Sequence, residues 1–122
     1  MSHYILIVDD EPALREVLAE ALADEGYRVR TASDGQQALD ILGADDLTVP
    51  NVIISDVVMP RMTGVRLVER LRAGGDATPV VLMSATYSGA DLPGVRFLSK
   101  PFNLVDLSVA IQHALACCSA CP

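Results

Sequence analysis

Five short aliphatic runs recur along the 122 residues, most of them separated by segments of helical periodicity. The runs are His3–Val8, Tyr27–Thr31, Asn51–Ser55, Pro79–Ser84 and Val95–Ser99, each of strand length. Between the first two, Ala13, Leu14, Val17, Leu18, Ala21 and Leu22 fall at i, i+3/i+4 intervals, which predicts an amphipathic helix ending near Gly26. A second helix is expected over Gln36–Leu42, after the turn residues Ser33, Asp34 and Gly35. A third is expected from about Gly64 to Ala73, with Val65, Val68 and Leu71 on one stripe and Gly74-Gly75 as its stop. The last is expected over roughly Leu104 to Ala116, with Asn103 as N-cap and Asp106 in the first turn, where the helix dipole favours negative charge. Strands joined through helices require right-handed crossovers, hence a parallel sheet with helices on both faces. The expected fold class is α/β: a doubly wound, five-stranded parallel sheet.

Composition agrees. Half of the residues are hydrophobic, mostly aliphatic, and aromatic residues are scarce, as suits strands buried on both faces. The length fits one domain, with no internal repeat, low-complexity stretch or linker. A formal net charge of -7 argues against direct binding of nucleic acid, which needs a basic patch to neutralise phosphates. The first apolar run stops at Asp9 and Asp10, so no secretory signal is read there, and no run approaches the roughly 18 apolar residues of a membrane span. The three cysteines, Cys117, Cys118 and Cys121, all lie near the C-terminus, where they are read as a reduced tail of a cytoplasmic protein.

In an open parallel sheet, function collects beyond the carboxyl ends of the strands. Here the first strand runs into Asp9-Asp10-Glu11, the third into Asp56, the fourth into Ser84-Ala85 and the fifth into Lys100-Pro101. Three carboxylates brought together repel one another, and burial raises the pKa of some. Lys100 offsets one charge; a hard divalent cation would offset the remainder. Oxygen-only ligands favour Mg2+ over zinc or copper. Carboxylate nucleophile, metal and hydrogen-bond donors are the parts that phosphoryl transfer demands. Asp56 is then the nucleophile and Asp10 a metal ligand, with Asp9 orienting the metal's waters. Lys100 pairs with one phosphoryl oxygen and Ser84 donates to another. Taken alone, an acidic pair before Pro12 is only a favourable helix start, and a lone Lys-Pro is a turn. Their coincidence at one sheet edge carries the reading.

The stretches ILIVDDEP, ISDVVMPRMTG, VLMSA and FLSKPF, in that order, resemble the four signature segments of response-regulator receiver domains, the CheY-like group within the flavodoxin-like folds. The resemblance runs from Tyr4 to about Leu115 and assigns residues 1–116 to a receiver domain and 117–122 to a Cys-containing tail. It implies phosphorylation of Asp56 by a sensor histidine kinase or a histidine phosphotransfer protein. It implies Mg2+ bound by Asp10, Asp56 and the backbone carbonyl of Val58, with Asp9 in the acidic pocket. It further implies Ser84 as the hydroxyl switch, Phe97 as a rotating aromatic and Lys100 as the phosphate sensor, often followed by a cis Lys-Pro bond. Phosphorylation would change the affinity for a downstream protein partner. Such a domain catalyses only its own phosphorylation and dephosphorylation, so it is a signalling domain and not an enzyme with an external substrate. Neither membrane nor nucleic acid is an expected partner.

One departure concerns the stretch between Ser84 and Lys100, which is shorter than the family usually has. ATYSGADLPG, residues 85–94, holds Gly89, Pro93 and Gly94 and makes a poor helix, so the fourth helix is expected to be shortened or missing. Val58 and Thr86, which flank the phosphosite, offer no carboxylate or carboxamide to position water, and slow self-dephosphorylation is expected. Arg66, Arg70 and Arg72 are read as a solvated face, His3 and His113 as surface residues, and Met59 and Met62 as fillers of gaps beneath the phosphosite loop. Three other functions compete. An aspartyl phosphatase would need a D-x-D nucleophile on the first strand, and a flavodoxin-like cofactor site would need a Ser/Thr/Gly-rich loop where DDEPAL stands. A pseudo-receiver, docking without phosphorylation, would have lost an acidic residue, Asp56 or Lys100. None is lost. No output domain follows the last helix, so the chain is expected to be either a single-domain regulator or one domain of a longer protein.

Overall fold

A computed structural model describes residues 3–44, 49–85 and 94–120. Its strands are β1 (Tyr4–Val8), β2 (Arg28–Ala32), β3 (Val52–Asp56), β4 (Val80–Ser84) and β5 (Val95–Ser99). Its helices, among the described residues, are α1 (Pro12–Asp24), α2 (Gly35–Ala44), α3 (Gly64–Ala73) and α4 (Leu104–Ala120). The strands form one parallel sheet in the order β2-β1-β3-β4-β5. The expected elements are all present, with ends displaced by one to a few residues. Residues 86–93, where the shortened fourth helix was expected, lie outside the described residues, as does Thr86.

The two faces of the sheet follow from strand alternation. Leu6, Val8, Ile53, Val80 and Leu82 pack with Ala38 of α2 and Leu67, Val68 and Leu71 of α3. Ile5, Ile7, Val52, Ile54, Val81 and Met83 point the other way, against Leu18 and Leu22 of α1 and Leu107, Ile111 and Ala114 of α4. The three central strands are buried at every position, which is why they read as unbroken aliphatic runs. The edge strands β2 and β5 are mostly exposed or half-buried and tolerate Arg28, Arg30 and Arg96. Arg28 also lies over the ring of Tyr4, 5.9 Å from its centroid.

The helix ends explain the shifted boundaries. Asn103 Oδ1 accepts from Asp106 N at 2.8 Å and Asp106 Oδ2 accepts from Asn103 N at 3.3 Å, a reciprocal cap that bears out the expected start of α4. Asp34 Oδ1 accepts from Gln37 N at 2.8 Å and opens α2 at Gly35. Thr63 Oγ1 accepts from Arg66 N at 3.1 Å and opens α3 at Gly64. At the other end α4 runs to Ala120 and not to Ala116, so Cys117 and Cys118 fall within the helix. No helix among the described residues is long and apolar enough to cross a membrane.

Candidate functional site

The parallel register extends past the strand ends and gathers the acidic residues. Val8 is level with Ser55 and Asp56 with Met83. Asp9 N donates to Ala32 O at 3.1 Å, Val57 N to Met83 O at 3.0 Å and Lys100 N to Ser84 O at 2.8 Å. These bonds fix the residues next to the strand ends as firmly as the strands themselves. Asp9, Asp10 and Asp56 each offer a carboxylate oxygen within 4.8 Å of the others. Asp9 is 1% exposed, Asp56 9% and Ser84 4%, whereas Asp10 is exposed.

Charge is poorly balanced there. Burial, foremost, raises the Asp9 carboxyl above the ordinary range; the neighbouring Asp56 and Asp10 add to the rise, while the Glu11 amide and Lys100 oppose it. Asp9 Oδ1 accepts from Glu11 N at 2.9 Å. Asp9 Oδ2 is buried without a hydrogen-bond partner among the described residues, an arrangement that is costly unless a cation or bound water completes it. Three carboxylates, an orphaned buried oxygen and an all-oxygen donor set fit a hard divalent cation such as Mg2+.

Lys100 is the cation that reaches the cluster: its Nζ lies 2.9 Å from Asp56 Oδ2. Asp56 Oδ1 accepts from Val58 N at 3.3 Å, while the Val58 side chain is 71% exposed. The Lys100-Pro101 bond is cis, as expected. Ser84 closes β4 level with Ser99, and Phe97, half-buried on β5, is level with Leu82. The sheet thus brings Asp9, Asp10, Asp56, Ser84 and Lys100 to one edge, with Val58 on the loop beside them and Phe97 one strand away. Met59 and Met62 are buried in the core below the loop, 6% and 8% exposed, and fill gaps as expected. His3 and His113 are on the surface.

Three features go beyond the sequence reading. Arg15, one turn into α1, donates through its guanidinium to Asp9 O at 2.7 Å and ties α1 to the acidic loop. Gly64 N donates to Val57 O at 2.9 Å, and a Cβ at this position would collide with Asp56 O and lie 2.9 Å from Leu82 Cδ2. The glycine that ends the MPRMTG stretch signals this close approach. Arg72 is the third and corrects the solvated-face reading. Arg66 and Arg70 are exposed, but Arg72 is half-buried and donates to Asp76 O at 2.8 Å. Burial lowers its pKa from the usual guanidinium range, and Gly94 lies close above it.

Comparisons with known proteins agree with this geometry. The family described as "Response regulator receiver domain" matches residues 5–112. Response regulator MprA of Mycolicibacterium vanbaalenii is 38% identical over 117 residues, 91% of this chain and 49% of that protein. The chain therefore spans about half the length of such curated relatives. Chemotaxis protein CheY4 of Vibrio cholerae is similar in structure with a TM-score of 0.83 and 33% identity, covering 94% of this chain and all of the other. Response regulator protein TrrA of Thermotoga maritima, solved in complex with Mg(2+)-BeF, has a TM-score of 0.79 and 31% identity, over 93% of this chain and 99% of TrrA.

Proposed function

Since the chain belongs to the response-regulator receiver-domain family, we propose that it takes a phosphoryl group onto Asp56 from a phosphohistidine of a sensor kinase or phosphotransfer protein. The observation that carries this reading is the convergence of Asp9, Asp10 and Asp56 within 4.8 Å, with Lys100 Nζ at 2.9 Å from Asp56. In the reaction an Asp56 carboxylate oxygen attacks phosphorus in line. The new O–P bond forms as the N–P bond breaks, and the imidazole leaves with the electron pair. Asp10, Asp56 and the Val58 carbonyl would hold Mg2+, with Asp9 directing its waters. A bound Mg2+ supplies charge neutralisation for the phosphoryl oxygens. Mg(2+)-BeF on the similar TrrA supports that assignment.

Lys100 exchanges its carboxylate partner for a phosphoryl oxygen, and the Ser84 hydroxyl donates to another. Because Ser84 is 4% exposed, its inward shift must be answered by a neighbour in the packed interior. Phe97 is the neighbour we assign to that movement. It also lines a hollow with Arg96, Asp106, Val109 and His113, so its rotation changes the surface between β5 and α4 offered to a downstream protein. Val58 has no group to position an attacking water, which favours a long-lived acyl phosphate.

The test is incubation with Mg2+ and beryllofluoride or acetyl phosphate, followed by amide chemical shifts. Wild type should respond at Ser84 and Phe97, and Asp56→Asn should not. A phosphorylation-independent docking module would leave both proteins silent. An equal response from Asp56→Asn would reject Asp56 as acceptor.

A further inference from the structure

Arg61 has φ 69, the one non-glycine with positive φ among the described residues. Met62 N donates to Pro60 O at 2.7 Å across it. This bond and sign of φ define the rarer, strained form of γ-turn. A left-handed backbone is unfavourable for an arginine, which has no short side chain to compensate locally. Something outside the turn must hold it.

Met59 and Met62, buried on either side, anchor its ends, and Arg61 itself meets Asp34, in the connection between β2 and α2, whose Oδ2 lies 3.3 Å from one of its guanidinium nitrogens. Asp34 is itself anchored, because its other oxygen caps α2 at Gln37 N, 2.8 Å away. The next residue pair interlocks as well: a Cβ on Gly35 would lie 2.8 Å from Met62 Sδ. Two consecutive residues at the entry to α2 thus meet two consecutive residues of the loop after β3. On the far side of the turn, Gly64 N is bonded to Val57 O. The turn therefore sets the path of the backbone from Val57 to Gly64, Val58 included.

We infer that Arg61 is a positioning residue: its pairing with Asp34 keeps the Pro60–Met62 turn left-handed and so fixes the loop that presents the Val58 carbonyl beside Asp56. The part concerning Val58 and Mg2+ rests on the function proposed above; the brace itself does not. Neither Asp34 nor Arg61 touches the reacting atoms. The β2–α2 connection, which carries none of the chemistry, thereby acts on the site from outside it. With the Arg61 side chain 78% exposed, the effect is modest and screened by salt.

The experiment uses four variants, Arg61→Ala, Arg61→Lys, Asp34→Asn and the Asp34→Asn/Arg61→Ala double, read by amide exchange at Met62 and Gly64 and by a Mg2+ titration. Asp34→Asn keeps an oxygen for the α2 cap and removes the charge. Both single losses should speed Met62 exchange and weaken Mg2+ binding by roughly two- to five-fold, as expected for an exposed pair. The double variant should be no worse than either single one, Arg61→Lys should recover part of the loss, and 1 M NaCl should erase the difference in Met62 exchange. Unchanged Met62 exchange in Arg61→Ala, or fully additive single effects, would overturn the proposal. A wild type that binds no Mg2+ would reject the functional reading, with the metal-free Met62 exchange still deciding the brace.

Discussion

The ammonium of Lys100 and the carboxylate of Asp56 lie 2.9 Å apart, although the two residues come from the far ends of different strands, 44 positions distant in sequence. The pair is formed because Lys100 N is bonded to the last carbonyl of β4, one strand over from Asp56. Among the described residues, the acidic cluster of Asp9, Asp10 and Asp56 has its ion pair with Lys100 alone. The remaining excess of negative charge is the physical basis for everything the site is proposed to do.

Removing that cation should therefore hurt twice. Lys100→Met leaves Asp56 beside Asp9 and Asp10 without an ammonium and takes away the donor for a phosphoryl oxygen. A charge-assisted hydrogen bond is worth about 1.5–3 kcal/mol. Acyl-phosphate formation from acetyl phosphate should slow by roughly ten- to a hundredfold. Intact-mass spectrometry over time measures this; an unchanged rate would remove Lys100 from the site.

Asp9 gives a prediction with a definite sign. Its folded pKa is raised, with burial as the main cause. Its contribution to stability is therefore present below the ordinary aspartate value of 3.8 and is lost as pH rises through the higher folded value. Without divalent cation, Asp9→Asn should be the more stable protein at neutral pH, since Asn keeps the acceptor for Glu11 N and carries no charge to desolvate. Its advantage should vanish toward low pH. Urea unfolding at several pH values tests this, and a wild type more stable than Asp9→Asn at pH 7 would contradict it.

Metal binding should reverse that order. A cation that binds only the folded protein stabilises by about 2.7 kcal/mol at a hundred times its Kd, a rise in Tm of roughly 10 °C for a domain of this size. Wild type should show this on Mg2+ addition and lose it with chelator. Asp10→Asn, altered at an exposed position outside the core, relieves repulsion on Asp9, so its metal-free Tm should equal or exceed that of wild type while the Mg2+ increment is lost. An equal rise in both proteins would place the ion elsewhere.

The central part of the molecule was legible because its physics is local. β1, β3 and β4 are buried on both faces and read as unbroken aliphatic runs, and Asp9, Asp10, Asp56 and Ser84 stand where those runs end. Asn103 and Asp106 announced their helix through a cap that spans only four residues. What stayed hidden depends on side chains that leave their own element to meet another part of the chain. Arg15 reaching Asp9 O, Asp34 holding Arg61 across 27 positions and Arg72 lying against Gly94 have no periodicity to betray them. An arginine on an amphipathic helix looks solvated until the neighbouring strand is in place.

Gly64 offers a test of packing at the site in which two effects oppose each other. Alanine is the better helix former by about 1 kcal/mol in a helix interior, and Gly64 is the first residue of α3. Against this, the added methyl would meet Asp56 O, a backbone atom that cannot swing aside, and Leu82 Cδ2 at 2.9 Å. Overpacking of this kind costs about 1–3 kcal/mol, and a backbone collision belongs at the upper end. The clash wins. Gly64→Ala should lower stability by about 2 kcal/mol net and disturb the loop from Val57 onward, lowering phosphoryl acceptance with it. Gly43 is the control: it lies in α2 with no atom of the described residues within 4 Å of where a methyl would stand, so Gly43→Ala should be neutral or gain about 0.5–1 kcal/mol. Chemical denaturation of the two variants compares them directly. If Gly64→Ala proved as stable as Gly43→Ala, α3 would have room to retreat from β3, and the close contact between Gly64 and the Asp56 carbonyl would not be what fixes the distance between that helix and the site.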